Sequence, residues 1–282
     1  MANETTLSTL DDLIVPMIAE ALFVASEASI MRPLVRNYAL PKNSGKVIQV
    51  PIYPVVAAAA VAEATDLANT AISTSKADLT VAEVGVMTTV TDMAVNTSES
   101  DVVKDLGKLF GEGIARKMDA DLMALFDGFS GAVGAADAAI TVAKIFEAVS
   151  KLKQSGVPSN DMACVLHPAV AYDLKANMTN TFANPNPTDV ANEALRTGFV
   201  GQLAGVNVYE SSNMTNTGTG GDFKGGLFHK DALGLAMLQD IKIETQRDAS
   251  IRGTEIVATA VYGVGELHDS YGIEVLADSS IL

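Results

Sequence analysis

The sequence predicts an α+β protein in which an extended arm is followed directly by a long amphipathic helix. Between about Lys46 and Val95, two strand-like limbs enclose a stretch of small residues. Beyond the helix, short helices and strands alternate, and from Leu227 onward the pattern is β. Apolar residues therefore repeat every two positions in the arm, about every four in the helix, and in both ways farther along the chain. This combination predicts the α+β class.

The outgoing limb of the arm is an edge strand. Ile48, Val50 and Ile52 fall on one side of it, because alternate residues of a strand share a face. Pro51 and Pro54 have no backbone N–H, so they cannot pair on both sides.

The return limb, residues 79–95, is expected to pair with the outgoing limb. Val84, Val86 and Val90 share one of its faces. Residues 55–75, between the limbs, have only Glu63 and Asp66 as charged residues and contain no aromatic residue. A two-stranded ribbon of this kind is marginal alone in water. We expect it to lie against another copy of the chain.

A long helix follows the arm. Ser98 to Asp101 form a capping box at its start. The run to Phe126 would extend roughly 40 Å. Its apolar stripe repeats every four residues and comprises Val102, Leu106, Phe110, Ile114, Met118 and Leu122, flanked among others by Leu109. On the polar side, Arg116 and Lys117 stand beside Asp119 and Asp121. These charges either pair across subunits or form a solvated helix face.

The remaining elements follow from caps and breakers. Thr141 opens a helix that ends at Gly156, and a strand over Met162–Leu166 runs into a helix that starts at Pro168. The strands predicted near the end are 234–238, 241–245 and 256–262. A loop over 246–253 carries Arg247, Asp248 and Arg252.

The order of these parts, with several short motifs, resembles the major capsid proteins of tailed bacteriophages, the Hong Kong 97-type fold. The motifs are Cys164-Val165-Leu166-His167-Pro168, the series from Gly201 to Asn213, Leu227 to Leu233, and Val261-Tyr262-Gly263. The resemblance implies an N-terminal arm (1–45), an extended β-ribbon arm (46–96), a spine helix of the peripheral domain (97–130), an axial domain (131–237), and peripheral return strands with the C-terminal end (238–282).

The function implied by the resemblance is structural. Such a chain would assemble with itself into pentamers and hexamers of an icosahedral head shell around double-stranded DNA. A separate scaffolding protein and a portal would be further partners. Assembly would take place in the host cytoplasm, and the product would be the virion. An encapsulin-like nanocompartment shell is the alternative within the same fold, and an enzyme with an unrecognised site is the alternative outside it.

Three parts of the chain supply the candidate assembly surfaces. They are Ile48, Val50, Ile52, Val84, Val86 and Val90 of the arm, Arg116, Lys117, Asp119 and Asp121 of the helix, and Arg247, Asp248 and Arg252 of the loop.

Composition argues against other classes of function. The net charge of −15 offers no basic patch for phosphate binding, so direct binding of DNA by the surface is not expected. This charge is compatible with a shell that encloses double-stranded DNA without sequence-specific contacts, as the resemblance implies. No apolar run is long enough to predict a membrane span. The single Cys164 excludes an internal disulfide, and the three histidines are scattered, so no catalytic residue, metal site or cofactor is predicted.

Overall fold

The computed structural model describes residues 29–41, 45–54, 71–97, 102–182, 202–214 and 221–281, together with isolated positions between 56 and 69. Two β-sheets organise these residues, and a short two-stranded ribbon is attached to one of them. The predicted capping box at 98–101 lies outside the described residues.

The first sheet has four strands and carries the longest hairpin of the described chain. Its strands are β1 (Arg36–Ala39), β4 (Ala82–Thr91), β10 (Leu233–Asp248) and β11 (Gly253–Glu266), in the order β1-β10-β11-β4. β10 and β11 are antiparallel, with register shifts between Met237 and Lys242, and β1 joins the edge in parallel. This peripheral sheet alternates inward and outward residues along β11, as a half-covered antiparallel sheet should.

The second sheet has six strands and is called the axial sheet below, after the domain that the resemblance predicts for most of them. Its strands are β5 (Ala132–Ala139), β6 (Met162–Leu166), β7 (Gln202–Leu203), β8 (Val206–Glu210), β9 (Phe223–His229) and β12 (Gly272–Asp278), in the order β5-β12-β9-β6-β8-β7. All five residues of β6 are buried, as expected for a central strand covered on both faces.

Four helices and the ribbon complete the described structure. The helices are α1 (Asp92–Thr97), α2 (Val102–Ala124, the spine helix), α3 (Val142–Gln154) and α4 (Pro168–Phe182). Short 3₁₀ turns span Arg32–Leu34, Leu125–Gly128 and Asp269–Tyr271. The ribbon pairs β2 (Val47–Ile52) with β3 (Ser75–Thr80). As predicted, Thr141 caps α3 by accepting a hydrogen bond from the backbone N–H of Lys144.

The core is divided by the peripheral sheet. The main cluster joins the spine helix, both sheets and α3 around residues such as Phe126, Phe228 and Leu122. A smaller cluster of Ala77, Leu79, Val81, Ala236 and Leu267 lies apart from it. Leu79, Thr80 and Val81, which we call the root of the ribbon, therefore pack on the body of their own subunit.

Three predicted boundaries are wrong. The return limb is not one ribbon strand, because only β3 pairs with β2, while β4 pairs with β11 and the chain turns helical at Asp92. The loop predicted at 246–253 shrinks to 249–252, since β10 and β11 continue pairing to its ends. Residues 272–278, assigned above to the peripheral strands, instead pair with β5 and β9 of the axial sheet.

The spine helix is also shorter than predicted. It ends at Ala124 and passes into a 3₁₀ turn, so its 23 residues extend about 34 Å. Its stripe is otherwise as expected, with Phe110, Ile114, Met118 and Leu122 buried.

Candidate assembly surfaces

The apolar face of the ribbon is mostly used within the subunit. Ile48, Val50 and Ile52 do share one side of β2, as predicted, and this side packs against the smaller core cluster. The opposite side is open to solvent, and Tyr53, just beyond β2, is 68% exposed. Its own subunit therefore covers this face in part, and a contact of Ile48, Val50 and Ile52 with another copy of the chain stays a prediction.

Between β2 and β3, the described residues of the connecting segment are exposed. Val56, Val61 and Ile72 are exposed large apolar residues, with relative exposures of 51%, 48% and 59%. Glu63 and Asp66, at the same end, are exposed as well. Single apolar residues on a surface are ordinary, but several on one short segment are typical of a contact site.

β4 contributes one face to the core and one to solvent. Val84 and Val90 pack on the main cluster. Val86, predicted on the same face, is 38% exposed, and Met87 on the other face is 59% exposed. The candidate contact residues of β4 that remain accessible are therefore Val86 and Met87.

The spine helix presents an open strip on its outer side. Leu109 was predicted to flank the apolar stripe, but it is 62% exposed. One turn later, Gly113 faces open space. The next turn carries Arg116 and Lys117, whose side chains are exposed. Among the described residues, they form ion pairs along the helix, with Glu112 at 3.9 Å and with Asp121 at 2.6 Å.

Asp119 is not on this surface. It is fully buried and accepts hydrogen bonds from the Ser29 hydroxyl at 2.7 Å and from the backbone N–H groups of Ile30 at 2.8 Å and Met31 at 3.3 Å. Desolvation by burial raises the pKa of its carboxyl group. The two predicted alternatives for Asp119, a contact across subunits or a solvated face, are both wrong, because a distant segment of the same chain covers it.

Asp121 joins the helix to the peripheral sheet. Its second carboxylate oxygen accepts a hydrogen bond of 2.8 Å from the hydroxyl of Tyr262. Burial, and then this hydrogen bond, raise the pKa of Tyr262. Asp121 therefore connects the outer strip of the spine helix to Tyr262 of β11.

The end of the β10–β11 hairpin is tied to α1. Both terminal nitrogens of Arg247 donate to Asp92, each at 2.6 Å, and the backbone N–H of Asp92 donates to the carbonyl of Arg252. The hydrogen bond from Arg247 lowers the pKa of Asp92. Asp248 accepts hydrogen bonds from Ser250 within the turn. The three candidate residues of this loop thus shape the hairpin tip, where Ile251 is exposed.

The histidines and the cysteine do not form a metal site with other residues in the described part of the chain. No group of three or more His, Cys, Asp or Glu residues there could hold a metal ion. His167 stacks on Phe223, and burial raises the pKa of the Cys164 thiol to about 12, so this thiol is unreactive. Among the helices that the structure describes, none combines the length and apolar character needed to span a bilayer.

Solved structures share this architecture. The capsid of cyanophage P-SCSP1u matches with a TM-score of 0.67 at 22% identity, covering 89% of each chain. The head of Helicobacter pylori bacteriophage KHP40 matches with a TM-score of 0.69 at 12% identity, covering 90% of this chain and 91% of that one. Mycobacterium phage Che8 matches with a TM-score of 0.64 at 21% identity, covering 82% and 85%. The fold is therefore of the Hong Kong 97 type, as predicted.

Sequence comparison identifies the family. None of the curated proteins matches the chain in sequence. The family model described as phage capsid protein matches residues 74–275, which is most of the chain. That range includes β3, β4, the spine helix and nearly all of both sheets. The chain belongs to the phage capsid protein family.

Proposed function

We propose that this major capsid protein builds the head shell from pentamers and hexamers in which the ribbon of each subunit lies on the spine helix of a neighbour. Its family makes it a structural protein of the virion that assembles with itself, and neither an enzyme nor an encapsulin-like shell is favoured. Within each subunit, the peripheral and axial sheets would each form the core of one domain.

One observation carries the proposal: the root of the ribbon is anchored on its own subunit while its apolar end is exposed. Ile48 and Leu79 belong to the smaller core cluster, whereas Val56, Val61 and Ile72 are exposed. Burying the exposed side chains would contribute about 25 cal/mol per Å² of apolar area removed from water. An anchored segment with an uncovered apolar end is suited to reach another molecule.

The outer strip of the spine helix suits that end in shape and charge. Leu109 offers an apolar contact, and Gly113 leaves room for an approaching backbone. Arg116 and Lys117 lie next to this position, and the ribbon end carries Glu63 and Asp66 as its charges. Apolar burial would supply most of the affinity, and the charges would orient the contact.

Such a contact propagates around a ring. The ribbon and the spine strip are different surfaces, so the interface is heterologous and closes when the rotation per subunit divides a full turn. Each subunit gives one contact and receives one. Repetition around a ring and across an icosahedral shell would make individually modest contacts strong.

The remaining partners follow from the net charge and from the family. A net charge of −15 is compatible with enclosing double-stranded DNA without gripping it. We expect a separate scaffolding protein and a portal to take part, and we expect assembly in the host cytoplasm before the virion is complete.

Deleting residues 55–74 and bridging the gap with a short Gly linker tests the ribbon contact. The change keeps the β2–β3 pairing, which runs from Val47 with Thr80 to Ile52 with Ser75. We expect subunits that melt cooperatively but sediment without particles. Shells of normal yield from the deleted chain would refute the proposal.

A matched pair of substitutions avoids changing the chain length. Val56, Val61 and Ile72 changed together to Ser should reduce particle yield strongly, because the apolar contact is lost. Ala58 and Ala60, exposed positions of the same segment, changed together to Ser should leave yield unchanged. Equal yields in the two variants would show that the apolar side chains are not the contact.

A further inference from the structure

The peripheral sheet has a patch of glycine and alanine residues on the face turned away from the main core. Gly234 of β10 is directly opposite Gly265 of β11, and Ala236 is opposite Gly263. These residues alternate with Leu235, Tyr262 and others that face the main cluster. Two consecutive small pairs on one face of a hairpin leave a shallow socket there.

Leu79 of β3 fills this socket. Its side chain is fully buried. A Cβ atom added at Gly265 would lie 2.5 Å from Cδ2 of Leu79, and one added at Gly234 would lie 3.0 Å from Cδ1. Both terminal methyl groups of Leu79 thus occupy the space that side chains at 234 and 265 would take.

Gly263 is close to the backbone of the ribbon. A Cβ atom there would lie 2.3 Å from the carbonyl oxygen of Thr80 and 3.0 Å from Cα of Val81. None of Gly234, Gly263 and Gly265 has a positive φ angle, so alanine could adopt the same backbone conformation at each position. Glycine is therefore required at 263 for space and not for its backbone freedom.

We infer that Gly263, with Gly234 and Gly265, is a positioning residue that sets the direction in which the ribbon leaves the subunit. This rests on the proposed function, in which the end of the ribbon meets a neighbour. Six paired residues extend about 20 Å, so a tilt of about 10° at the root moves the far end by about 3.5 Å. Such a displacement is as large as the separation between contacting atoms, so it would misplace the contact.

The test compares subunits and particles of Gly263→Ala and of a control variant, both expressed as full-length chains, under conditions in which the wild type forms shells. The new Cβ of Gly263→Ala must displace the backbone of Thr80, and we expect the subunit still to melt cooperatively. Because the ribbon would leave in another direction, we expect a tenfold or greater loss of shells and altered diameters among those that remain. The control Val257→Ile adds one carbon to the same face of β11, away from the ribbon, and should leave yield and diameter unchanged. Normal shells from folded Gly263→Ala would overturn the inference.

If Gly263→Ala fails to fold, a pair of compensating substitutions, Gly265→Ala and Leu79→Val, tests the inference instead. Gly265→Ala meets only the end of a flexible side chain, so a smaller loss of shells is expected, about threefold. Leu79→Val removes the methyl groups that the new Cβ would meet. The double variant should recover wild-type yield and diameter. A double variant no better than Gly265→Ala would overturn the inference.

The ribbon deletion separates this inference from the function on which it rests. If the chain without residues 55–74 still forms normal shells, the ribbon contact itself is refuted. If the deletion abolishes shells while folded Gly263→Ala forms them normally, the ribbon is needed but these glycines do not aim it.

Discussion

The hydroxyl of Ser29 donates a hydrogen bond of 2.7 Å to the carboxylate of Asp119, a residue 90 positions later in the chain and fully buried in the spine helix. The same carboxylate accepts from two consecutive backbone N–H groups, those of Ile30 and Met31. Met31 is itself fully buried. This contact fixes the point at which the N-terminal segment meets the spine helix.

Removing the carboxylate should destabilise the subunit. Asp119→Ala leaves the Ser29 hydroxyl and two backbone donors without their acceptor in a buried site. We expect a loss of about 2–4 kcal/mol in the free energy of unfolding. Urea unfolding of the unassembled subunit measures it, with Asp105→Ala, an exposed position on the same helix, as the control. A loss under about 0.5 kcal/mol would show that water replaces the carboxylate.

The pH dependence of this site has a defined sign. Burial raises the pKa of Asp119 above its ordinary value of 3.8, so the folded state holds the proton more tightly than the unfolded state does. Its contribution to stability is therefore greatest below that value and is lost as the pH rises through the folded pKa. Asp119→Asn does not titrate. The melting temperature of the wild type relative to Asp119→Asn should therefore fall as the pH rises from the ordinary carboxyl pKa through the raised value. A rise would show that the three hydrogen bonds, which favour the charged form, outweigh desolvation.

The two sides of the spine helix should respond differently to substitution. Ile114 is 2% exposed, so Ile114→Ala should cost about 2–5 kcal/mol of unfolding free energy. Leu109 is exposed, so Leu109→Ser should cost less than about 1 kcal/mol yet reduce the yield of shells, because the ribbon of a neighbour would lose its apolar contact. Thermal melts and sedimentation of the same samples separate the two effects. Normal assembly of Leu109→Ser would remove this strip from the interface.

The hairpin tip should depend on the pair formed by Arg247 and Asp92. Asp92→Asn weakens a charge-assisted, two-point contact, so the 249–252 turn should exchange its amide hydrogens faster. Arg247 lowers the pKa of Asp92, so the contact is present above the ordinary carboxyl pKa and is lost as the pH falls through the lowered value. Hydrogen exchange followed by mass spectrometry measures this protection. The swapped variant Asp92→Arg with Arg247→Asp should recover it, and unchanged exchange in Asp92→Asn would contradict the role.

Salt should favour assembly. Subunits of charge −15 repel one another, and at physiological salt the Debye length is only about 8 Å, so added ions reduce this repulsion. Apolar contacts are not screened, and sulfate strengthens them. The fraction of protein that sediments as particles should rise from tens of millimolar salt to a few hundred. A steady fall would place charge pairs, beginning with those of Arg116 and Lys117, at the centre of the interface.

The sequence was most informative where one local period was strong. The stripe containing Ile114, Met118 and Leu122 predicted both the spine helix and its buried side, and Thr141 predicted the start of α3. Ile48, Val50 and Ile52 were placed correctly on one face of a strand. The motif order predicted the family. The contact surfaces were harder to predict. Leu109, for example, was expected beside the buried stripe because of its position in the sequence, but its side chain is exposed.

By itself, the sequence determined the type of each strong element and which residues share its faces, because these depend on the 3.6- and 2-residue periods of the local backbone. Only the tertiary structure decided what covers each face. Asp119 has the position of a polar surface residue in the helix, yet residues 29–31 cover it. Gly263 has the position of an ordinary strand glycine, and only the structure shows the carbonyl of Thr80 against it. Such contacts join segments far apart in sequence, so no local pattern encodes them.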